Sequence, residues 1–458
     1  MRIRGSIAKG LLTALAISLI PVAAISAQKV TAGSKCKVFK QKVPYLDKTY
    51  TCIKSGKKLV WSKGVVAVKP TPTPTVPTPT LPTSTLTNIS SYLNIASCKL
   101  VNGNNQTGVN QSFQQNPYRV KNTKPIRALI FPIDFPDLVG NAIPRWDFTF
   151  ISDGVTDYFK QMSDGKSVIN WTIHPDFTRY SSRVADANLG GRTTSGYRAF
   201  SQEAFRLASN TLDTSQFDLI VYAPPIDTSR GQIAVGPAFI SYSSTEMNAT
   251  MLDGQSYQIR FRFPPGNTTA HEIGHLMGLA DLYNYNAAKE AAAAGDQNID
   301  KYQFKYMGIF DLMNWAEGAG VELTAWNRWL IDLINDDQIR CLPTSTTNTL
   351  LSPVEVAGGV KGAVIPISTT EAIVMESRRA LRYDKRLGKE SEGVLVYKVN
   401  TSILSGSGPM QVVGRPGSTK VWFEDAPLKL GETYIVDGYA IEVIESGVFG
   451  DVIKVSKK

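Results

Sequence analysis

Apolar positions recur along this chain in three rhythms: unbroken runs, helical spacing and strict alternation. An unbroken run, LLTALAISLIPVAAI at residues 11–25, follows Arg2, Arg4 and Lys9 and leaves through the small residues of AISA at 24–27. A basic start, a short apolar centre and a small-residue exit describe a secretory signal peptide over residues 1–27. Pro21 and the shortness of the run argue against a full bilayer span. No later run is long enough to cross a membrane. The mature chain is therefore expected to be secreted or wall-associated, with no transmembrane segment.

Helical spacing appears in DGVTDYFKQMSDGK, where Val155, Tyr158, Phe159 and Met162 share a face, and again in SGYRAFSQEAFRLASNTL, AAKEAAAA and VELTAWNRWLIDLI. PIRALIFPIDF and FDLIVYAPP read as buried strands, and SVINWTIHPDF and YQIRFRF alternate as half-buried ones. After residue 341 the pattern becomes short β-runs between Gly and Pro turns, such as GVLVYKV, KVWFED and YAIEVIE. The fold class expected is α+β: a large body with a mixed sheet, followed by a β-rich region. Between the N-terminal segment and that body, residues 70–85 read PTPTPTVPTPTLPTST, an extended, semi-rigid spacer. The divisions expected are a small module at 28–68, a linker at 69–87, a main domain at 88–341 and a C-terminal β-rich region at 342–458.

Charge separates the module from the rest. Residues 28–64 hold ten lysines against Asp47, or +9 of a formal +10 for all 458 residues. Nucleic acid is a poor partner for an exported chain. An acidic wall polymer or anionic lipid headgroup suits the module better, and a solvated lysine face with no partner suits it equally well. Four cysteines, Cys36, Cys52, Cys98 and Cys341, fit an oxidising compartment. They allow three pairings. A module of about forty residues rarely holds together without a staple, which favours Cys36–Cys52 and leaves Cys98–Cys341.

Only three histidines occur, and two of them stand in HEIGHLMGLADLY, residues 271–283. Residues four apart share a helix face, so His271 and His275 can present two imidazole nitrogens to one point. Glu272 lies off that stripe, within reach of a water on the metal. Gly278 tolerates the left-handed turn that would bring the chain back, and Asp281 can supply a carboxylate as third ligand. The spacing is that of a His-Glu-x-x-His-x-x-Gly-x-x-Asp zinc site. Two structural histidines on a core helix would not require the glutamate, glycine and aspartate at these offsets. His174, alone in a strand, is read as an ordinary strand residue. Zinc with three protein ligands keeps a place for water and lowers its pKa. Glu272 is then the general base toward that water and the acid toward the leaving amine.

The segment resembles the extended metzincin consensus with aspartate as the third ligand, and Met313 in FDLMNW stands where metzincins carry their methionine turn. Trp315 occupies the place of their oxyanion tyrosine, which makes Tyr283 the candidate donor, or else a packing residue. More widely, ALIFPIDFPD, DYFKQMSDGKSVINWTI, GIFDLMNW and the stretch from 372 to 400 resemble the immune inhibitor A family of secreted bacterial zinc metallopeptidases. Phe310 replaces the family's tryptophan before the turn, and Lys398 and Asn400 replace its His and Asp. The resemblance implies an endopeptidase acting on proteins or peptides, with zinc and structural calcium; Asp134 and Asp137 are read as a solvated turn instead of calcium ligands. Two other functions fit the same residues: a surface-binding protein with an inactive peptidase-like body, and a zinc amidase acting on wall peptides.

Overall fold

The structure is a computed structural model that describes residues 30–45, 48–66, 81–105, 108–140, 144–186, 194–225, 228, 236–242, 245–251 and 266–458. The signal-peptide segment, YQIRFRF and most of the Pro/Thr spacer lie outside the described residues. The chain forms two compact units, Met1–Thr78 and Pro79–Lys458.

The N-terminal unit is a small antiparallel sheet of β1 (Lys42–Tyr45), β2 (Lys48–Ser55), β3 (Lys58–Trp61) and β4 (Val65–Val66), with β2 paired to each of the others. It buries few apolar side chains. Cys52, fully buried on β2, is bonded to Cys36, the staple that its size requires.

The larger unit begins with a six-stranded mixed sheet. Its strands are β5 (Ile126–Asp134), β6 (Ile169–Ile173), β7 (Thr178–Arg179), β8 (Leu219–Ala223), β9 (Gly236–Tyr242) and β10 (Thr245–Met251), in the order β6-β5-β8-β10-β9, with β7 on β5. Only the β9/β10 pair is antiparallel. Alternation decides the layers. Ile126, Ala128 and Ile130 of β5 face one core with Leu219 and Val221, while Leu129, Phe131 and Ile133 face another with Ile220 and Tyr222. The second core is closed by α2 (Thr194–Thr211) through Phe200, Ala204, Phe205 and Ala208. The first is closed by α1 (Pro144–Met162), whose Val155, Tyr158, Phe159 and Met162 are buried, and by the histidine helix α3 (Asn267–Met277). Further on come α4 (Ala287–Ala293), α5 (Ile299–Gln303) and α6 (Ala325–Leu330).

Two more sheets follow. β11 (Ile339–Cys341), β13 (Gly362–Pro366), β14 (Glu371–Arg378), β15 (Gly393–Asn400) and β16 (Met410–Val412) form one. β12 (Thr347–Leu351), β17 (Thr433–Val436), β18 (Tyr439–Gly447) and β19 (Gly450–Lys457) form the other. Residue 341/342 does not divide two bodies. Val364, Val374, Leu395 and Tyr397 join the core beneath the histidine helix, while Ile365, Ile373, Met375 and Val396 pack on β18 and β19. The middle sheet is therefore buried on both faces. Cys98–Cys341 ties its β11 edge to the start of the unit across 243 residues.

Two elements differ from the sequence pattern. VELTAWNRWLIDLI forms a helix only over Ala325–Leu330, with every one of those residues buried. Thr324 caps its start, and Asp332 in the left-handed region ends it. Arg328 is completely buried because it pairs with the equally buried Glu322. KVWFED is a run of turns, held by Asp425, which accepts from the Ser418 hydroxyl and the Thr419 and Lys420 amides.

Candidate metal centre

The histidine helix starts at Gly266 and ends at Gly278, both left-handed, with φ of 83° and 114°. At Gly278 that φ disfavours any other residue, and a β-carbon would lie 1.9 Å from the Gln115 side-chain oxygen, which would have to move. Helix ends leave carbonyls without partners. Here Val120 donates its amide to Leu276 (2.9 Å) and Asn110 to Gly278 (3.2 Å). The Asn/Gln-rich stretch 108–120 thus straps the end of the helix.

The turn at Gly278 returns the chain to the helix. It brings Asp281 Oδ1 to 3.1 Å from His271 Nε2 and 3.2 Å from His275 Nε2. Each other ring nitrogen is held: His271 Nδ1 by the Leu312 carbonyl at 3.0 Å, His275 Nδ1 by the Leu279 carbonyl at 2.7 Å. Such backbone bonds fix the tautomer and aim Nε2 at the ligand position. Donors about 2.0–2.1 Å from a tetrahedral zinc stand about 3.3 Å apart, close to the two carboxylate–imidazole spacings. Two imidazoles and one carboxylate, buried together, form a donor set suited to zinc.

The electrostatics follow from burial and pairing. Burial alone would keep the imidazoles neutral. The Asp281 carboxylate overrides it, raising His275 to about 9 and lifting His271 above its ordinary value. Burial would also lift Asp281, but the imidazoles hold it well below the carboxylate range. Glu272, buried beside His271, adds its charge to both rings.

Met313 packs against the helix. A β-carbon on Gly274 would sit 2.8 Å from Met313 Sδ, so the glycine between the histidines admits the thioether. The turn is anchored by buried Asp311, which accepts from the Met313 and Thr324 amides (each 2.8 Å) and from Asn327 Nδ2 (2.9 Å). Trp315 stacks on Phe304 at 4.2 Å between centroids. Tyr283 lies half-buried along His271, ring centroids 6.3 Å apart.

Sequence reasoning missed the groups that hold Asp281. Tyr285 donates its hydroxyl to Asp281 Oδ2 at 2.5 Å. The Asp281 amide donates to Ser405 Oγ (2.9 Å), and its carbonyl accepts from the Gly406 amide (2.9 Å). Asp134 and Asp137, the residues considered for calcium, are taken by other partners. Buried Asp134 receives Arg179 at 2.6 and 2.8 Å, and Asp137 receives the Val184 amide at 2.8 Å. His174 bonds Asp176 and stands beside Phe131, apart from the centre. Among the described residues, His271, His275 and Asp281 are the metal-capable cluster, and no helix is long and apolar enough to cross a membrane. No family model matches the chain, and no curated protein matches it.

Proposed function

We propose that this chain is an exported zinc endopeptidase, of the kind its resemblance to the immune inhibitor A family implies. The observation that carries the reading is the convergence of His271 Nε2, His275 Nε2 and Asp281 Oδ1, each imidazole already oriented from behind. These three side chains would hold the ion. Zinc, when bound, supplies a Lewis acid for a peptide carbonyl and makes water acidic enough to attack at neutral pH. Glu272 takes the proton of the attacking water and returns it to the leaving amine. Tyr283, its ring 6.3 Å from that of His271, is the candidate donor to the developing oxyanion. Two formed disulfides fit an oxidising compartment.

Metal analysis together with casein and peptidoglycan digestion tests the reading. Expected are one zinc per chain, loss of zinc in His275→Ala, and, in Glu272→Ala, retained zinc with casein cleavage reduced about 10²–10⁴-fold. Stoichiometric zinc without cleavage of any protein would overturn the peptidase half, and cleavage confined to wall peptides would make the chain an amidase.

A further inference from the structure

The peptidase reading leaves the N-terminal unit unused. All nine of its described lysines are exposed, and no Asp or Glu lies among the described residues of 30–66. Within this field one turn carries an apolar tip. Val38 and Phe39 are adjacent and 59% and 47% exposed, with Lys37 before them and Lys40 after. The turn is closed by the Gln41 amide on the Val38 carbonyl (3.1 Å). Lys40, at a φ of 66°, donates its amide to the Cys52 carbonyl (2.9 Å), and Cys52 donates to Gln41 (2.8 Å). The Cys36–Cys52 bond fastens the other side of the turn to the same strand. The side-chain nitrogens of Lys40 and Lys54 stand 5.7 and 5.5 Å from the centre of the Phe39 ring.

A lysine fringe alone suits any polyanion. Two neighbouring apolar side chains, held outward by a turn pinned to β2, suit a surface that offers hydrocarbon behind its negative charge. We propose that this turn docks on an anionic lipid bilayer, with Val38 and Phe39 entering the acyl boundary and the surrounding lysines on headgroup phosphates. A charged polymer supplies phosphates but nothing for the two apolar side chains to enter. Each component is weak alone, and together they make the two-signal attachment that peripheral proteins use. Because the turn is already ordered, little conformational freedom is lost on docking.

The test uses the chain from Gln28 to Lys458, so that the N-terminal apolar run contributes nothing. Sedimentation is measured with phosphatidylcholine vesicles, with the same vesicles carrying phosphatidylglycerol at about one lipid in three, and with poly(glycerol phosphate). Expected are binding only to the anionic vesicles, a loss of roughly tenfold on raising salt from about 0.05 to about 0.5 M, and a further loss of roughly tenfold in a Val38→Ser, Phe39→Ser double variant. Phe39→Trp should gain emission that brominated lipid quenches, beyond that of the parent. Lys37→Gln, Lys40→Gln and Lys54→Gln together should weaken binding with the apolar tip intact. Binding that ignores lipid charge, or wild type and double variant held equally by poly(glycerol phosphate) with no quenching at residue 39, overturns the proposal, as does no vesicle binding at all. Thiol titration of each variant checks that the disulfide is retained.

Discussion

Gly406 and Tyr285 are fitted to each other: a β-carbon on Gly406 would lie 2.2 Å from the Tyr285 ring, and the Tyr285 amide donates to the Gly406 carbonyl at 2.9 Å. The same glycine donates its own amide to the Asp281 carbonyl, while the Tyr285 hydroxyl holds Asp281 Oδ2. One loop after β15 thus sets both the backbone and the side chain of the proposed third ligand.

Removing the phenol should therefore loosen the metal. Tyr285→Phe is expected to lower zinc affinity about 10–100-fold, measured by competition with a chelator. Gly406→Ala should do the same without touching the phenol, because the added methyl displaces the ring and the φ of 72° disfavours alanine. Unchanged affinity in both variants would show that Asp281 is held by its own turn.

The glycine between the histidines can be tested with a pair of substitutions. Gly274→Ala gains about 1 kcal/mol of helix propensity but drives a methyl into Met313 Sδ, a close contact that typically costs about 1–3 kcal/mol. A net loss of about 1 kcal/mol in urea unfolding is expected. In a Met313→Ala background the same change should be stabilising. If its sign does not reverse, the two side chains do not compete for the same space.

Zinc uptake should release protons. Burial favours neutral His275, but Asp281 raises it to about 9, so the metal-free site is protonated at neutral pH, whereas zinc binds the neutral ring. The raised value lies above the unfolded 6.5. Pairing therefore stabilises the metal-free fold fully below about pH 6.5, and this stabilisation is lost as pH rises through about 9. Calorimetry at pH 7 in buffers of different ionisation enthalpy counts the protons, and a count of zero contradicts the pairing. Asp281→Asn should erase the decline in metal-free stability across that window.

Behind the centre, Arg378 binds Glu376 and Asp384, each at 2.7 Å, with all three side chains fully buried. Arg378→Met leaves two carboxylates without their cation and is expected to cost about 3–5 kcal/mol. Because the middle sheet shares the core of the histidine helix, urea unfolding of residues 79–458 should show one transition, with near- and far-ultraviolet signals moving together.

The parts of the centre legible in the sequence are those that local geometry controls. His271, Glu272, His275, Gly278 and Asp281 fall within one helix and its terminating turn, where spacing alone decides which side chains meet. Both disulfides follow from module size and the remainder. Tyr285 carries no signal in the sequence, since its position depends on a glycine over a hundred residues away. Ser405 binds Asp281 across 124 residues and carries no pattern of its own. In the helix at Ala325–Leu330, Asn327 and Arg328 have the polarity of a solvent face, whereas Asp311 and Glu322 satisfy them in the interior. The supposed break at 341/342 fails for the same kind of reason: a strand buried on both faces resembles any other short β-run.

Because the proposed third donor is clamped by a loop that emerges from synthesis long after the histidines, the site closes only loosely on a partly made chain. Such a chain carries two imidazoles and a loose aspartate, a weak and floppy chelate. If the centre holds zinc as proposed, tight binding would wait for the loop at Ser405 and Gly406, made more than a hundred residues after the histidines.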